Sequence, residues 1–173
     1  MGNRDARAAA PRPSASVYEV EDQWAAALVR GGRVDFFGSS LVIPAERRFG
    51  DIASVQRYVD GVLALPSVTA KYPGIDSVEV RERRGQSKAH YEQDTVVIAV
   101  PVIETWALRE SVVLHEIAHH LMCSSSAGRT IEWHGVGFRS TMCSLVAIVL
   151  GDEAALLLRT GYEAAGLSSV DAS

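Results

Sequence analysis

The chain has 173 residues, a net charge of −4, a hydrophobic fraction of 47% and two cysteines. This length supports one domain with its own core and is short for two. The acidic balance argues against a surface built to neutralise phosphates, because nucleic-acid-binding domains are usually basic. Two cysteines without CxxC spacing exclude a disulfide scaffold and indicate a reducing compartment. The longest apolar run, Leu145 to Leu150, is too short for a membrane span, so we expect a soluble, cytoplasmic protein.

The first part of the chain divides into a tail and the start of a domain. Residues 1–15 are rich in Ala, Arg, Pro and Ser without periodicity, which predicts a disordered tail. We expect a single domain over 16–168 and a flexible end over 169–173. The apolar spacing within Val17–Val29 predicts a helix that ends at Gly31.

Two short strands and a second helix are expected next. The strand-like runs are Val34–Phe37 and Leu41–Ile43. Asp51 is a good N-cap for a helix whose apolar face runs from Ile52 to Leu63, and Pro66 follows it.

The rest of the chain predicts a small sheet followed by three helices. Strands are expected over Ser77–Arg83 and within Ala89–Val100, where the β-branched run 95–100 could be a free edge for strand addition or an ordinary core strand. Helices are expected over about Thr105–Met122, Gly137–Leu150 and from Asp152 onward, with Asp152 as the N-cap.

The motif His115-Glu116-Ile117-Ala118-His119 is HExxH on a predicted helix. Residues four apart lie on the same helical face, so both imidazoles can reach one ion. Glu116 lies about 100° around the helix from His115, where it can act as a general base without being a ligand. Two histidines in a helix this apolar would be costly to bury without a shared partner. The motif therefore predicts a bound zinc ion.

The third ligand has several candidates. The metzincin spacing is excluded, since Met122 and Ser125 occupy the positions that would need Gly and His. Downstream glutamates are available at Glu132 and Glu153. We favour His134, which begins an HGxxF pattern whose glycine allows a close turn of the backbone and whose phenylalanine anchors the next helix.

HExxH followed fifteen residues later by HGxxF resembles the SprT-like (Spartan-type) zinc metalloproteases over about residues 112–142. The chain departs from that family in having no cysteine-rich zinc ribbon, no basic tail and no added DNA-binding domain.

A longer resemblance, from Val17 to about Gly166, is to a small actinobacterial and mycobacteriophage family of metallohydrolases. The stretches that carry it are residues 37–39, 46–50, 55–59, 89–91, 113–116 and 153–158. This resemblance implies zinc hydrolysis on a zincin-like fold and names no substrate.

Five other residues have weaker indications. Tyr91 and Tyr162 could stabilise an oxyanion, with packing as the default reading. Helical spacing predicts that His120 is a residue behind the ligands or at the surface. Cys123 continues the row of the two histidines by one turn, and packing is favoured over ligation. We expect Trp133 to wedge its loop against the core.

Together these patterns predict an α+β, zincin-like fold in which a small twisted sheet packs on the HExxH helix. They predict a zinc metallohydrolase that cleaves an amide bond, with Glu116 as the base and His115, His119 and His134 as ligands. The expected partner is a peptide or protein substrate, and nucleic acid and membrane are not expected. The alternatives are a zinc amidase acting on a non-peptide substrate and a zinc-stabilised binding module without turnover.

Overall fold

A computed structural model describes residues 13–84, 88–103, 107–125 and 131–170. In those ranges the helices are α1 (Pro13–Arg30), α2 (Ile52–Leu63), α3 (Pro66–Lys71), α4 (Glu110–Ser125), α5 (Val136–Leu150) and α6 (Asp152–Ala164). The strands are β1 (Gly32–Phe36), β2 (Ser39–Ile43), β3 (Glu79–Arg83), β4 (His90–Glu92) and β5 (Val97–Pro101). This confirms the α+β class. Among the described residues, no helix is both long and apolar enough to cross a membrane.

The first helix and hairpin follow the prediction, with one shifted boundary. α1 begins at Pro13, inside the segment predicted as a tail, and residues 1–12 lie outside the described ranges. Gly31 ends the helix with a φ of 59°. β1 and β2 then pair antiparallel across the loop of Phe37 and Gly38. Both loop residues have positive φ, at 49° and 79°, as the tightest hairpin turns require.

The capping of α2 is confirmed, and a short helix after it was missed. The Asp51 side chain accepts the Ser54 N–H at 2.7 Å, while the Ser54 hydroxyl accepts the Asp51 N–H at 3.2 Å. This reciprocal pair is a capping box. Pro66 is the first residue of α3. Proline is tolerated there because the first residue of a helix has no hydrogen bond within the helix to lose.

A three-stranded sheet has the order β3-β5-β4 and contacts α4 through β4. β5 is parallel to β3 and antiparallel to β4. The predicted strand within 89–100 is in fact two strands, because residues 93–96 form a turn in which Val96 has a φ of 54°. All five residues of β5 are buried and the strand lies in the middle of the sheet. Of the two alternatives for 95–100, the core strand is therefore confirmed and the free edge is wrong, and the edges are β3 and β4.

The three C-terminal helices are confirmed, with corrected starts. α4 begins at Glu110, and residues 107–109 before it are not α-helical; the predicted start at Thr105 lies outside the described ranges. α4 packs against β4 on one side and α5 on the other, and α6 contacts α5, α1 and β2. Gly151, with a φ of 97°, takes the N-cap position of α6 in place of Asp152.

The start of α4 is held by residues 46–49, which we call the anchor segment. The carboxylate of Glu110 is 1% exposed and accepts the Tyr58 hydroxyl at 2.7 Å and the Arg47 N–H at 2.8 Å. Arg109 donates to Glu46 at 2.6 Å, and the Arg109 backbone pairs with Arg48. Buried carboxylates need such partners. The anchor segment therefore fixes the helix that carries HExxH.

Candidate metal centre

Three imidazoles converge at the point where α4 meets the start of α5. α4 supplies His115 and His119 from one face, and the turn before α5 supplies His134. Nε2 of His115 lies 3.1 Å from Nε2 of His119 and 3.3 Å from Nε2 of His134. Two ligands of a tetrahedral ion held at about 2.0–2.1 Å are about 3.3 Å apart. The separations therefore match two ligand pairs around a single ion, and one atom from each of the three residues lies within 4.8 Å of the others.

The protonation of these rings fits a metal-binding role. Burial, followed by the nearby charge of His115, lowers the pKa of His119 to about 2. Burial and His115 likewise lower the pKa of His134 to about 4. Both rings are therefore neutral at pH 7, as ligation requires. Nδ1 of His119 is buried without a hydrogen-bond partner among the described residues, so the polar contacts of this ring are made through Nε2, the nitrogen that faces the other two histidines.

Phe138 and Arg139 explain why the HGxxF pattern forms part of the centre. The Phe138 ring is fully buried and its centroid lies 4.8, 4.3 and 5.1 Å from the centroids of His115, His119 and His134. Arg139 donates to the carbonyl of His134 and, at 2.7 Å, to the carbonyl of Ser168. One aromatic ring thus supports all three imidazoles, and one guanidinium fixes the turn that carries the third.

Position 135 requires glycine because a side chain would not fit there. The backbone conformation is not the reason, since its φ of −72° is one that any residue adopts. A Cβ at this position would lie 2.8 Å from the Cβ of Glu132 and closer still to its carboxylate. The expected close turn is present, and the Glu132 side chain is what excludes a larger residue at position 135.

Glu21 orients His115 and was missed by the sequence analysis. Its carboxylate lies 2.6 Å from Nδ1 of His115, and its other oxygen accepts the hydroxyl of fully buried Tyr162. Burial alone would lower the pKa of His115, but the Glu21 carboxylate raises it above its ordinary value. A proton held on Nδ1 leaves the Nε2 lone pair facing the other two histidines, which is the usual arrangement behind a metal ligand.

Glu116 is 4% exposed, and its carboxyl group lies near the backbone N–H of Tyr91 in β4. Burial raises the pKa of this carboxyl to about 7. The charge of His115, the backbone N–H of Tyr91 and the charge of Arg83 act in the opposite direction. A base with a pKa near the working pH is suited to accept and return a proton.

Tyr18 is a second residue of the centre that was missed. Its ring stacks on His115 at 5.4 Å and meets His134 edge-on at 5.0 Å between centroids. Nζ of Lys88 lies 3.7 Å from the centre of the same ring. Burial, and then the charges of Glu116 and Glu21, raise the pKa of Tyr18 to about 12, so its hydroxyl keeps its proton at neutral pH.

The other ligand candidates lie away from the three imidazoles. Glu132 is exposed, and the carboxylate of Glu153 accepts the N–H of Val42 in the hairpin at 3.1 Å. Cys123 is half-buried and does not belong to the group of potential ligands, and burial raises the pKa of its thiol. The structure thus brings together the histidines favoured from the sequence.

The remaining aromatic and histidine candidates have other roles. The hydroxyl of Tyr91 contacts Nδ1 of His120 at 3.1 Å, and the hydroxyl of Tyr162 is bound to the carboxylate behind His115. His120 is 1% exposed and also contacts the carbonyl of Asp76, so it is not at the surface. Trp133 is 41% exposed beside His119 rather than wedged into the core, which corrects that prediction.

Comparisons with known proteins add no assignment. No protein-family model, curated protein or solved structure matches this chain. The function is therefore argued from the geometry of the centre.

Proposed function

We propose that this protein is a zinc-dependent metallohydrolase that cleaves an amide bond in peptides, on a zincin-like fold. The observation that carries the proposal is the convergence of three imidazole nitrogens at the spacing of one tetrahedral ion, with Glu116 next to the first of them. Three imidazole donors suit zinc among other metals, and three protein ligands leave a position for water.

The roles of the residues follow from their positions. A zinc ion bound there would act as a Lewis acid and lower the pKa of a coordinated water to about 7. His115, His119 and His134 would hold it, with Glu21 fixing the tautomer of His115. Glu116 accepts a proton from the attacking water as its oxygen bonds to the carbonyl carbon. It returns the proton to the nitrogen as the C–N bond breaks.

We assign to Tyr18 the role of stabilising the carbonyl oxygen of the substrate during the attack. Tyr91 and Tyr162, considered for this role from the sequence, already use their hydroxyls inside the protein. The Tyr18 ring contacts two of the three histidines, and its hydroxyl stays protonated at neutral pH. A protonated phenol beside the reacting centre can donate to an oxyanion.

The position of β4 supports a peptide substrate. β4 is an edge strand that packs on α4, and the backbone N–H of Tyr91 in this strand acts on the carboxylate of Glu116. An extended peptide added to this edge would therefore run past the base. A non-peptide amide would make no use of that edge, which is why we rank the amidase second.

The resemblances to SprT-like proteases and to the actinobacterial metallohydrolases agree with this proposal. A zinc-stabilised binding module remains the rival from another class. A fourth protein ligand would favour it, and neither Glu132 nor Cys123 joins the three histidines. The cytoplasmic location stays a prediction from the sequence.

The substitution Glu116→Gln distinguishes the proposed enzyme from the alternative of a zinc-stabilised binding module. Glutamine nearly keeps the shape of glutamate but cannot accept the proton, so we expect zinc content to be unchanged and turnover to fall by about 10²–10⁴. Metal analysis of purified protein measures zinc content, thermal unfolding measures stability, which should also be unchanged, and cleavage of a broad peptide library measures turnover.

His119→Ala is the matched comparison. It removes a ligand, so zinc retention and metal-dependent stability should both fall. If Glu116→Gln sheds its zinc, Glu116 is a structural or ligating residue. If the zinc-loaded wild type cleaves no peptide, the peptidase proposal is wrong and the binding module or the amidase takes its place.

A further inference from the structure

A cavity of about 250 Å³ opens beside the candidate centre, between α1, the residues before β4 and the start of α4. His115 and Glu116 form part of its wall. A group bound in the cavity would therefore lie next to the atoms that act on the substrate. Pockets that enclose a whole drug-sized ligand have roughly 300–1,000 Å³, so this one has the size for a single side chain.

The floor of the cavity offers mainly apolar surface. Trp24, Ala25 and Ala89 are each at least 90% buried, and Val112 beside them is half-buried. The indole N–H of Trp24 already donates to the carbonyl of Ala154 at 3.0 Å. It is therefore not available to a ligand.

The buried polar groups of the cavity are also engaged within the protein. The hydroxyl of Ser111 donates to Glu46 at 2.8 Å. The two oxygens of Glu21 are bound by His115 and Tyr162. A charged or amide side chain entering here would lose its hydration without gaining these groups as partners.

The charges at the rim have opposite signs. Asp22 and Lys88 are both exposed, and the ammonium of Lys88 lies over the Tyr18 ring. Opposite charges at the mouth give a substrate no consistent electrostatic preference, so the floor decides what binds.

We infer that this cavity is the specificity pocket of the proposed enzyme and that it takes one apolar side chain, such as leucine or phenylalanine, from the residue adjoining the cleaved bond. The inference rests on the proposed function, which it deepens by naming the substrate class. Excluding water from about 250 Å³ of apolar cavity favours the larger side chains over glycine.

Three substitutions test the pocket. Ala25→Leu fills it from α1, and Val112→Ala enlarges it from α4. Ala26→Leu is the matched control, because Ala26 is the exposed neighbour on the same helix and takes the same change outside the cavity. Cleavage of a peptide library by zinc-loaded protein reports preference, since hydrophobic pockets discriminate by about tenfold or more.

In the wild type and in Ala26→Leu, we expect leucine or phenylalanine to be preferred over glycine at one position beside the cleaved bond by at least about tenfold. Ala25→Leu should move the preference to glycine and alanine, and Val112→Ala should move it to larger side chains. Cleavage with no preference, or an unchanged profile in both pocket variants, would overturn the inference and leave the proposed function standing. If Ala25→Leu does not fold, Val112→Ala decides alone.

A binding measurement keeps the pocket testable without turnover. Methyl NMR of the wild type is followed during titration with N-acetyl-leucinamide and with N-acetylglycinamide. The leucine compound should shift the signals of Ala25 and Val112 more strongly, and Ala25→Leu should abolish the difference at Val112. Equal or absent shifts would show that the cavity does not take an apolar side chain, whatever the peptide assay shows. If the NMR signals shift as expected but no peptide is cleaved, the inferred pocket stands and the proposed peptidase function is wrong.

Discussion

The contact between Glu21 and His115 links two residues that are 94 positions apart. The carboxylate holds Nδ1 of His115 in place, so the Nε2 lone pair faces the other two histidines. We predict that Glu21→Gln lowers zinc affinity by about 10–100-fold, the usual effect of losing the partner behind a metal ligand. Competition with a chelator measures it, and Glu19→Gln on the exposed side of α1 is the control.

Tyr162→Phe should have a smaller effect than Glu21→Gln, because it removes a hydrogen bond from the carboxylate but leaves the carboxylate on His115. Equal zinc affinity in Glu21→Gln and the wild type would mean that His115 is oriented by packing against Phe138 and Tyr18 instead.

Sequence reasoning found the local part of the centre. The i, i+4 spacing of His115 and His119 is fixed by helical geometry, and the turn at His134 carries its own pattern. Glu21 and Tyr18 come from a helix that reaches the site only through tertiary packing, and local spacing cannot show that. One signal for Glu21 was present: it lies four residues after Val17 and three before Trp24, so a carboxylate occupies the buried face of α1.

At the scale of elements, the anchor segment fixes the start of α4. The Tyr58 hydroxyl is bound to the buried carboxylate of Glu110, whose other oxygen accepts the Arg47 N–H. We predict that Tyr58→Phe lowers the free energy of unfolding by about 1–3 kcal/mol, because it leaves a buried carboxylate oxygen without its donor. Urea unfolding measures this, and Glu79→Gln, a change at an exposed strand position, is the control and should have little effect. A Tyr58→Phe protein as stable as the wild type would mean that Glu110 needs no donor from α2.

Helix and strand types were predictable where the signal is local, as with the capping box at Asp51 and the glycine that ends α1. The wrong start of α4 and the undecided place of β5 share a physical cause. The start of α4 depends on pairing between Arg109 and the distant Arg48, and the central place of β5 depends on which strands pair with it. Neither fact is encoded in the segment itself.

At the scale of the molecule, the basic side chains of β3 are partly neutralised. Arg81 forms an ion pair with Glu92 of β4, and acidic residues alternate with the arginines at Glu79 and Glu82. Together with the net charge of −4, this supports the expectation that nucleic acid contributes little to activity, which stays a prediction.

Three groups of the centre, His119, His134 and Glu116, contribute to the pH dependence of stability in the metal-free protein. Burial holds the pKa of His119 at about 2 and that of His134 at about 4, below the ordinary 6.5. Below pH 6.5 the unfolded chain therefore takes up two protons that the folded chain does not, and stability falls with falling pH. Glu116 has the opposite effect on the pH dependence of stability. Burial raises its pKa from 4.5 to about 7, so between these values the folded chain holds a proton that the unfolded chain has released.

At these three groups, two protons against one leave a net uptake of about one proton on unfolding near pH 5.5. Burial also lowers the pKa values of His90 and His120, which add to this uptake in the same direction. We predict that the metal-free protein loses at least on the order of 1 kcal/mol of unfolding free energy per pH unit between about pH 6 and 5. His115 does not change this sign, since its pKa is raised in the folded chain and both states are protonated below 6.5. Urea unfolding in a chelator at several pH values measures the slope, which Glu116→Gln should steepen and His134→Gln should flatten. A metal-free protein that grows more stable on acidification would contradict the neutral state of His119 and His134, and with it the donor set on which the proposed zinc binding depends.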